Sequence, residues 1–204
     1  TELDQIIKET KEAQKIYSSF TQNQVDEIVK SVAEEAFKHS ESLARLAVNE
    51  TKMGVYEHKI IKNQLGSMDV YQSIKNEKTI GIIGEDIKNK IIEIAYPFGV
   101  IAAICPTTNP TSTAIFKTLI SLKTGNGIIV SPHPFAKKST IKALEICRTA
   151  AESAGAPKGL INWISEPSIE LTKELMEHED IDLILATGGS GLVKQAYSSG
   201  KPAY

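Results

Sequence analysis

Asn109 stands between Thr107-Thr108 and Pro110, just past the apolar run Val100 to Cys105. A side-chain amide there can donate a hydrogen bond to an oxygen that gains negative charge during a reaction. It can equally close a turn on its own backbone. Ser131-Pro132-His133-Pro134 follows a second apolar run, Ile128 to Val130. The flanking prolines stiffen His133, whose imidazole could bond a ribose or cap the next helix. Thr187-Gly188-Gly189-Ser190-Gly191 follows a third run, Leu183 to Ala186. Free N–H groups in such a turn suit a phosphate, and glycine lets a ligand come close to the backbone. The alternative is a plain tight turn. Neither G-x-G-x-x-G nor G-x-x-x-x-G-K-[ST] occurs, so the standard dinucleotide and nucleoside-triphosphate fingerprints are absent. Cys105 ends an apolar run and Cys147 lies beside Ile146 in a helical pattern. Both read as small buried hydrophobes, because a reactive thiolate needs an electropositive, partly open setting. No metal site is indicated: nothing is spaced to join His133 as a ligand, and two cysteines make no zinc pattern.

These residues need elements to position them. Gly99 to Pro134 reads as strand, polar loop, helix and strand, one right-handed βαβ unit. A long helix over 136–154 ends at Gly155, with Pro157 beyond it. A short strand over 160–164, a helix over 168–178 and the strand 183–186 follow, and a last helix starts near Leu192. Strands alternating with helices predict an α/β fold with a parallel, doubly wound sheet, in which ligands bind beyond the carboxyl ends of the strands. All three polar turns sit at such ends.

The first 77 residues read as four helices. Thr21 and Gln24 match a capping box, and Ser40 is expected to cap the third helix. The fourth, over 56–75, carries Ile60, Ile61, Leu65, Met68 and Tyr71, and all four are expected to serve packing and solvation. Residues 78–97 change character. Thr79 to Ile83 and Ile91 to Ala95 are β-prone around a polar turn, which predicts a hairpin that must pack or pair with something. Residues 98–204 form the parallel core.

Composition narrows the function classes. A formal net charge of −2 over 204 residues gives no reason to expect nucleic acid or an anionic membrane as partner. No apolar run is long enough for a bilayer span and the first residues are no secretory signal, so a cytoplasmic, reducing setting is expected.

The segments YPFGVIAAICPTTNPTSTAIFKTLISLKTGNGIIVSPHPFAKKST, AGAPKGLINWISEPSIELT and LILATGGSGLVKQAYSSGKPAY closely resemble the coenzyme-A-acylating aldehyde dehydrogenases, in particular the aldehyde dehydrogenase half of bifunctional aldehyde–alcohol dehydrogenases. The likeness reaches back through LAVNETKMGVYEHKIIKN and so spans nearly the whole chain. Departures are mild: Tyr96 stands where the family often has an acidic residue, and Phe135 where it often has a basic one. The resemblance implies the Rossmann-like sheet of the aldehyde dehydrogenase superfamily, preceded by helices and a protruding hairpin of the oligomerisation region. It implies NAD as cofactor, with coenzyme A and a small aldehyde, acetaldehyde foremost, as substrates, and a homo-oligomer joined through residues 78–96. It makes Asn109 the side-chain oxyanion donor. Ile104, Cys105, Pro106, Thr107, Thr108 and Asn109 become the floor under the dinucleotide. Ser131 and His133 would lie near its adenosine end, with Gly188 and Gly189 near the pyrophosphate.

The family's nucleophilic cysteine lies beyond the segment that ends here, and neither Cys105 nor Cys147 matches its motif. The chain is therefore expected to be an amino-terminal, cofactor-binding portion that is inactive alone. Two other readings stay open at this point. One is a hydrolytic aldehyde dehydrogenase, against which the PTTNP form argues. The other is a non-catalytic nucleotide-binding or assembly module.

Overall fold

The structure is a computed structural model describing residues 1–204. Four helices open the chain: α1 (Glu2–Tyr17), α2 (Gln22–Lys38), α3 (Ser40–Thr51) and α4 (Tyr56–Gln64). A π-helical turn, Leu65–Asp69, carries α4 into the short α5 (Val70–Ile74). The capping box at Thr21 and Gln24 is present. Ser40 is not a cap: it is the first residue of α3, and its hydroxyl donates back to the Phe37 carbonyl.

The hairpin β1 (Gly81–Asp86) and β2 (Ile91–Ala95) is antiparallel, with a register shift between Ile82 and Gly84. Its two strands pair only with each other. Ile82, Ile83, Ile87, Ile91, Ile92 and Ile94 are all exposed on it.

The remaining strands are β3 (Val100–Ile104), β4 (Gly127–Ser131), β5 (Ile161–Trp163) and β6 (Leu183–Ala186). They form one parallel sheet in the order β5-β4-β3-β6. The connecting helices are α6 (Pro110–Lys123), α7 (Lys137–Ser153), α8 (Ile169–Glu177) and α9 (Ser190–Tyr197). Residues 202–204 run along the outer edge of β6, where Ile184 and Ala186 donate to Pro202 and Tyr204. No helix is long and apolar enough to cross a membrane.

Because side chains alternate along a strand, β3 feeds two cores. Ala103 and Cys105 face a cluster of 26 buried residues built with α2, α3, α6 and α7. Val100, Ala102 and Ile104 face a smaller cluster of 12 with α1, α8 and α9. The sheet is thus covered on both faces, as a parallel sheet requires, and its carboxyl edge is left open.

The start of β3 depends on Gly99 and Asp182. Asp182 lies just before β6, and its carboxylate accepts from the Val100 N–H at 2.8 Å. Gly99 has φ +133°, and a Cβ there would overlap that carboxylate. Gly99→Ala should therefore combine backbone strain with loss of the Asp182 contact, lowering unfolding free energy by about 2 kcal/mol or more. Urea denaturation of the two chains checks this; a change under about 0.5 kcal/mol would refute it.

Candidate active site

The polar loops after β3, β4 and β6 converge on one groove of about 700 Å³ at the carboxyl edge of the sheet. Ile104, Cys105, Pro106, Thr107 and Thr108 form one side, and His133 with its flanking prolines another. Gly188 and Gly189 line it from β6, with Leu192 and Gln195 of α9 behind them. Ser168, Ile169 and Thr172 of the α8 segment close the remaining wall.

Two of the residues singled out from the sequence are not in that lining. Ser131 is fully buried beneath it, sharing a 2.7 Å hydrogen bond with Thr172. Thr172 donates to the Ser168 carbonyl, so the Ser131 hydroxyl donates to Thr172. Ser131 therefore supports the wall from below. Asn109 lies at the N-terminus of α6, past the end of the groove, and is half-buried. Its Oδ1 accepts a hydrogen bond from Lys62 Nζ at 3.0 Å and does not cap α6.

His133 does cap the next turn. Its Nδ1 accepts from the Phe135 N–H at 3.1 Å, which leaves Nε2 as the protonated, donating nitrogen of a neutral ring. Gly188 is held to glycine by packing, since a Cβ would sit 2.5 Å from Leu192 Cδ2. A Cβ on Gly189 would meet nothing within 4 Å, so the space above that residue is open to a ligand. Gly189 precedes α9, whose first turn has no side-chain cap. Its N–H groups are free to bind an anion.

The groove lining contains no Asp, Glu, Lys or Arg. A dinucleotide fits such a lining through neutral donors: uncapped N–H groups for the pyrophosphate, hydroxyls and the His133 N–H for the sugars. The cations lie behind the loop instead. Lys117 of α6 is 3% exposed, and its Nζ donates to the Ile104 carbonyl at 2.7 Å and to that of Leu185 at 2.8 Å. Lys59 is 5% exposed and donates to the Thr108 carbonyl at 2.6 Å. None of Lys59, Lys62 and Lys117 forms an ion pair.

Both cysteines are enclosed. Burial pushes the Cys105 thiol up to about 11, only partly offset by the Lys117 charge, and the Cys147 thiol up to about 12. Neither is a thiolate near neutral pH.

A sequence profile of the aldehyde dehydrogenase family matches residues 1–203. The chain belongs to the aldehyde dehydrogenase family. It is 56% identical over 202 residues to the bifunctional aldehyde–alcohol dehydrogenase of Escherichia coli strain K12, covering 99% of this chain and 23% of that protein. It is 42% identical over 202 residues to the acetylating succinate-semialdehyde dehydrogenase of Clostridium kluyveri, covering 99% of this chain and 44% of that one. An acetylating aldehyde dehydrogenase from Geobacillus thermoglucosidasius superposes with a TM-score of 0.98 at 53% identity, over 100% of this chain and 45% of its own. A propionaldehyde dehydrogenase from Rhodopseudomonas palustris with bound CoA gives 0.87 at 32%, over 98% and 46%. The chain thus spans less than half the length of each of these relatives. The resemblance to acylating aldehyde dehydrogenases, and with it the Rossmann-like sheet, the preceding helices and the hairpin, is borne out.

The sequence reading of α4 needs correction. Its apolar pattern placed Ile61 and Leu65 on a packing face, yet both are exposed, while Lys59 and Asn63 are buried. In this aldehyde dehydrogenase chain α4 turns polar side chains toward the loop after β3. The spacing of Lys59, Lys62 and Asn63 at i, i+3 and i+4 was the available signal, since such residues share one helix face.

Lys117 yields a test of this buried electrostatics. Burial lowers its pKa from 10.5 to about 8. The unfolded chain then binds the proton more tightly than the folded one, so stability climbs as pH rises from about 8 toward 10.5. Lys117→Met removes that climb. Between roughly pH 7.5 and 10 the unmodified chain should gain about 2 kcal/mol more than the variant in urea denaturation. Parallel pH profiles would refute the placement of the charge.

Proposed function

We propose that this chain is the cofactor-binding part of an NAD-dependent, coenzyme-A-acylating aldehyde dehydrogenase. The reaction is aldehyde plus CoA plus NAD giving acyl-CoA plus NADH, with acetaldehyde as the expected aldehyde. The carrying observation is the placement of Asn109. Its amide stands just past the end of a charge-free groove, next to the lining residue Thr108, with Oδ1 tied to Lys62 and Nδ2 without a partner in the chain. The acetylating relatives and the CoA bound to the Rhodopseudomonas palustris enzyme support the acyl-transfer reading. An engineered glycolyl-CoA reductase with bound NADP+ places a nicotinamide dinucleotide in a protein of this fold at a TM-score of 0.86.

When bound, the nicotinamide supplies the hydride acceptor. The chain's own residues do the rest of the holding. The uncapped N–H groups of the first turn of α9 would hold the pyrophosphate, with open space above Gly189 for its approach. Ile104 to Thr108 form the floor, and His133 Nε2 is a donor for the adenosine end. Asn109 Nδ2 donates to the aldehyde oxygen as a thiolate attacks its carbon and the oxygen becomes negative. That thiolate is neither Cys105 nor Cys147, whose thiols are buried and protonated. Two unpaired thiols suit a reducing, cytoplasmic setting.

The roles of Asn109 and of the groove can be separated by mutation in a full-length enzyme carrying this segment. Asn109→Ala should slow NADH formation from acetaldehyde about a hundredfold with NAD affinity nearly unchanged. Gly189→Val should do the reverse, weakening NAD in titration calorimetry. Full activity in the first variant, or full NAD affinity in a folded second variant, would remove the assignment.

The hairpin supports a homo-oligomer. Five exposed isoleucines on strands that pair only with each other, and a sixth in the turn between them, form an unsatisfied apolar surface. Replacing residues 80–95 with a Gly-Ser loop should shrink the assembly of that full-length enzyme in light scattering; an unchanged mass would rule the hairpin out.

A further inference from the structure

An asparagine at a helix N-cap ordinarily turns its oxygen to the helix's own N–H groups. Asn109 holds the N-cap position of α6 with φ −140° and ψ 63°, yet makes no such bond. Its Oδ1 lies 3.0 Å from Lys62 Nζ. An ammonium has donors and no acceptor, so only the oxygen of the amide can face it. Nδ2 and both its hydrogens are thereby turned the other way, and Nδ2 has no acceptor in the chain.

The neighbouring contacts show that this is one term of a larger brace. Lys59 Nζ holds the Thr108 carbonyl at 2.6 Å, the peptide immediately before Asn109. Thr111 Oγ1 donates to Asn63 Oδ1 at 2.7 Å, and Asn63 Nδ2 donates to the Ser40 carbonyl at 3.0 Å. One face of α4 therefore grips residues 108, 109 and 111 in succession. Pro106 and Pro110 limit the loop backbone, and Lys59 and Asn63 fix its two flanks. The rotation left over is that of the Asn109 side chain, and Lys62 takes it.

We propose that Lys62 is a positioning residue for the reaction: it fixes and polarises the Asn109 amide so that Nδ2–H points at the developing oxyanion. This rests on the reading of Asn109 as oxyanion donor. A cation on the amide oxygen draws electron density from the nitrogen and makes its N–H a better donor. Lys62 is exposed, without a carboxylate partner, and a contact of that kind adds little to stability. Its loss should therefore show in rate and leave folding alone, which separates positioning from a structural role.

The test is a double-mutant cycle in a full-length enzyme carrying this segment, read as the pre-steady-state burst of NADH from acetaldehyde. Lys62→Met should slow the burst by about tenfold, with thermal unfolding and NAD affinity unmoved. Lys62→Arg, which keeps a donor-only cation, should recover most of the rate. Combining Lys62→Met with Asn109→Ala should be no slower than Asn109→Ala alone, because Lys62 acts only through that amide. In the 204-residue chain, Lys62→Met should shift the side-chain amide signals of Asn109 in a proton–nitrogen correlation spectrum. A normal burst in Lys62→Met, or multiplying losses in the double variant, would overturn the proposal while leaving Asn109 in place. A normal burst in Asn109→Ala would instead overturn the oxyanion reading, and the role of Lys62 with it.

Discussion

Three lysine ammonium groups on neutral carbonyl oxygens hold the loop after β3. Lys117 joins the ends of β3 and β6 through the Ile104 and Leu185 carbonyls, Lys59 takes Thr108, and Lys62 takes the side chain of Asn109. Burying an ammonium without a counter-charge is costly, and the depressed pKa values of Lys117 and Lys59 reflect it. For Lys59, burial is the larger cause and the nearby Lys62 charge the second. The return is geometric: strand-end carbonyls that would otherwise lack partners are satisfied, and a loop with two prolines is pinned at several atoms.

The rest of the fold is arranged so that these side chains can reach. α6 carries Lys117 and Lys123 as well as the loop's own exit. Lys123 is nearly fully buried and pairs with Asp26 of α2 at 2.6 Å, and the Tyr17 hydroxyl donates to the Leu122 carbonyl at 3.0 Å. α6 is thereby fixed against the helices of the amino-terminal part. α4 is set by the turn before it, where Lys52 and Gly54 both have positive φ. A Cβ on Gly54 would come within 3.0 Å of Lys59 Cε, so the glycine leaves room for the lysine stem. Glu50, at the end of α3, accepts from the Lys138 and Ser139 N–H groups at 2.8 and 2.7 Å. That occupies the start of α7, and Ser168 caps α8, whereas the glycine-rich turn that lines the groove before α9 leads into a helix with no side-chain cap.

The parallel core was legible because its signals are local. Val100 to Ile104, Ile128 to Val130 and Leu183 to Ala186 are apolar runs bounded by turn residues; the first two are buried throughout, and the third is buried at Leu183 and Ile184 and half-buried beyond. The loops at their ends followed from topology alone, which is why most of the residues named in advance line one groove. Asn109 and Ser131 fall outside it for reasons no spacing reveals. One is drawn to a lysine 47 positions away, the other to a threonine 41 positions away. The helical period hid the role of α4, because it sorts residues by polarity. A buried lysine whose ammonium reaches a carbonyl violates that sorting, and only the partner's position, from a different element, makes it affordable.

The separation of charge across the site would suit the proposed dinucleotide, which would have to leave after each turnover. A pyrophosphate carries two negative charges, and lysines lining the groove would hold oxidised and reduced forms alike, strengthening binding without favouring the chemical step. Neutral N–H groups and hydroxyls would bind it through the helix end and hydrogen bonds alone. The cations stand instead at the loop that leads to Asn109, where, on the proposed reading, negative charge would arise only while the carbonyl is under attack. Interactions that strengthen with that charge act on the barrier, not on the bound ground state. A groove without charged side chains, backed by lysines of α4 and α6 that have no counter-charge, is therefore the arrangement that the proposed reaction, with its exchangeable dinucleotide and transient alkoxide, would need.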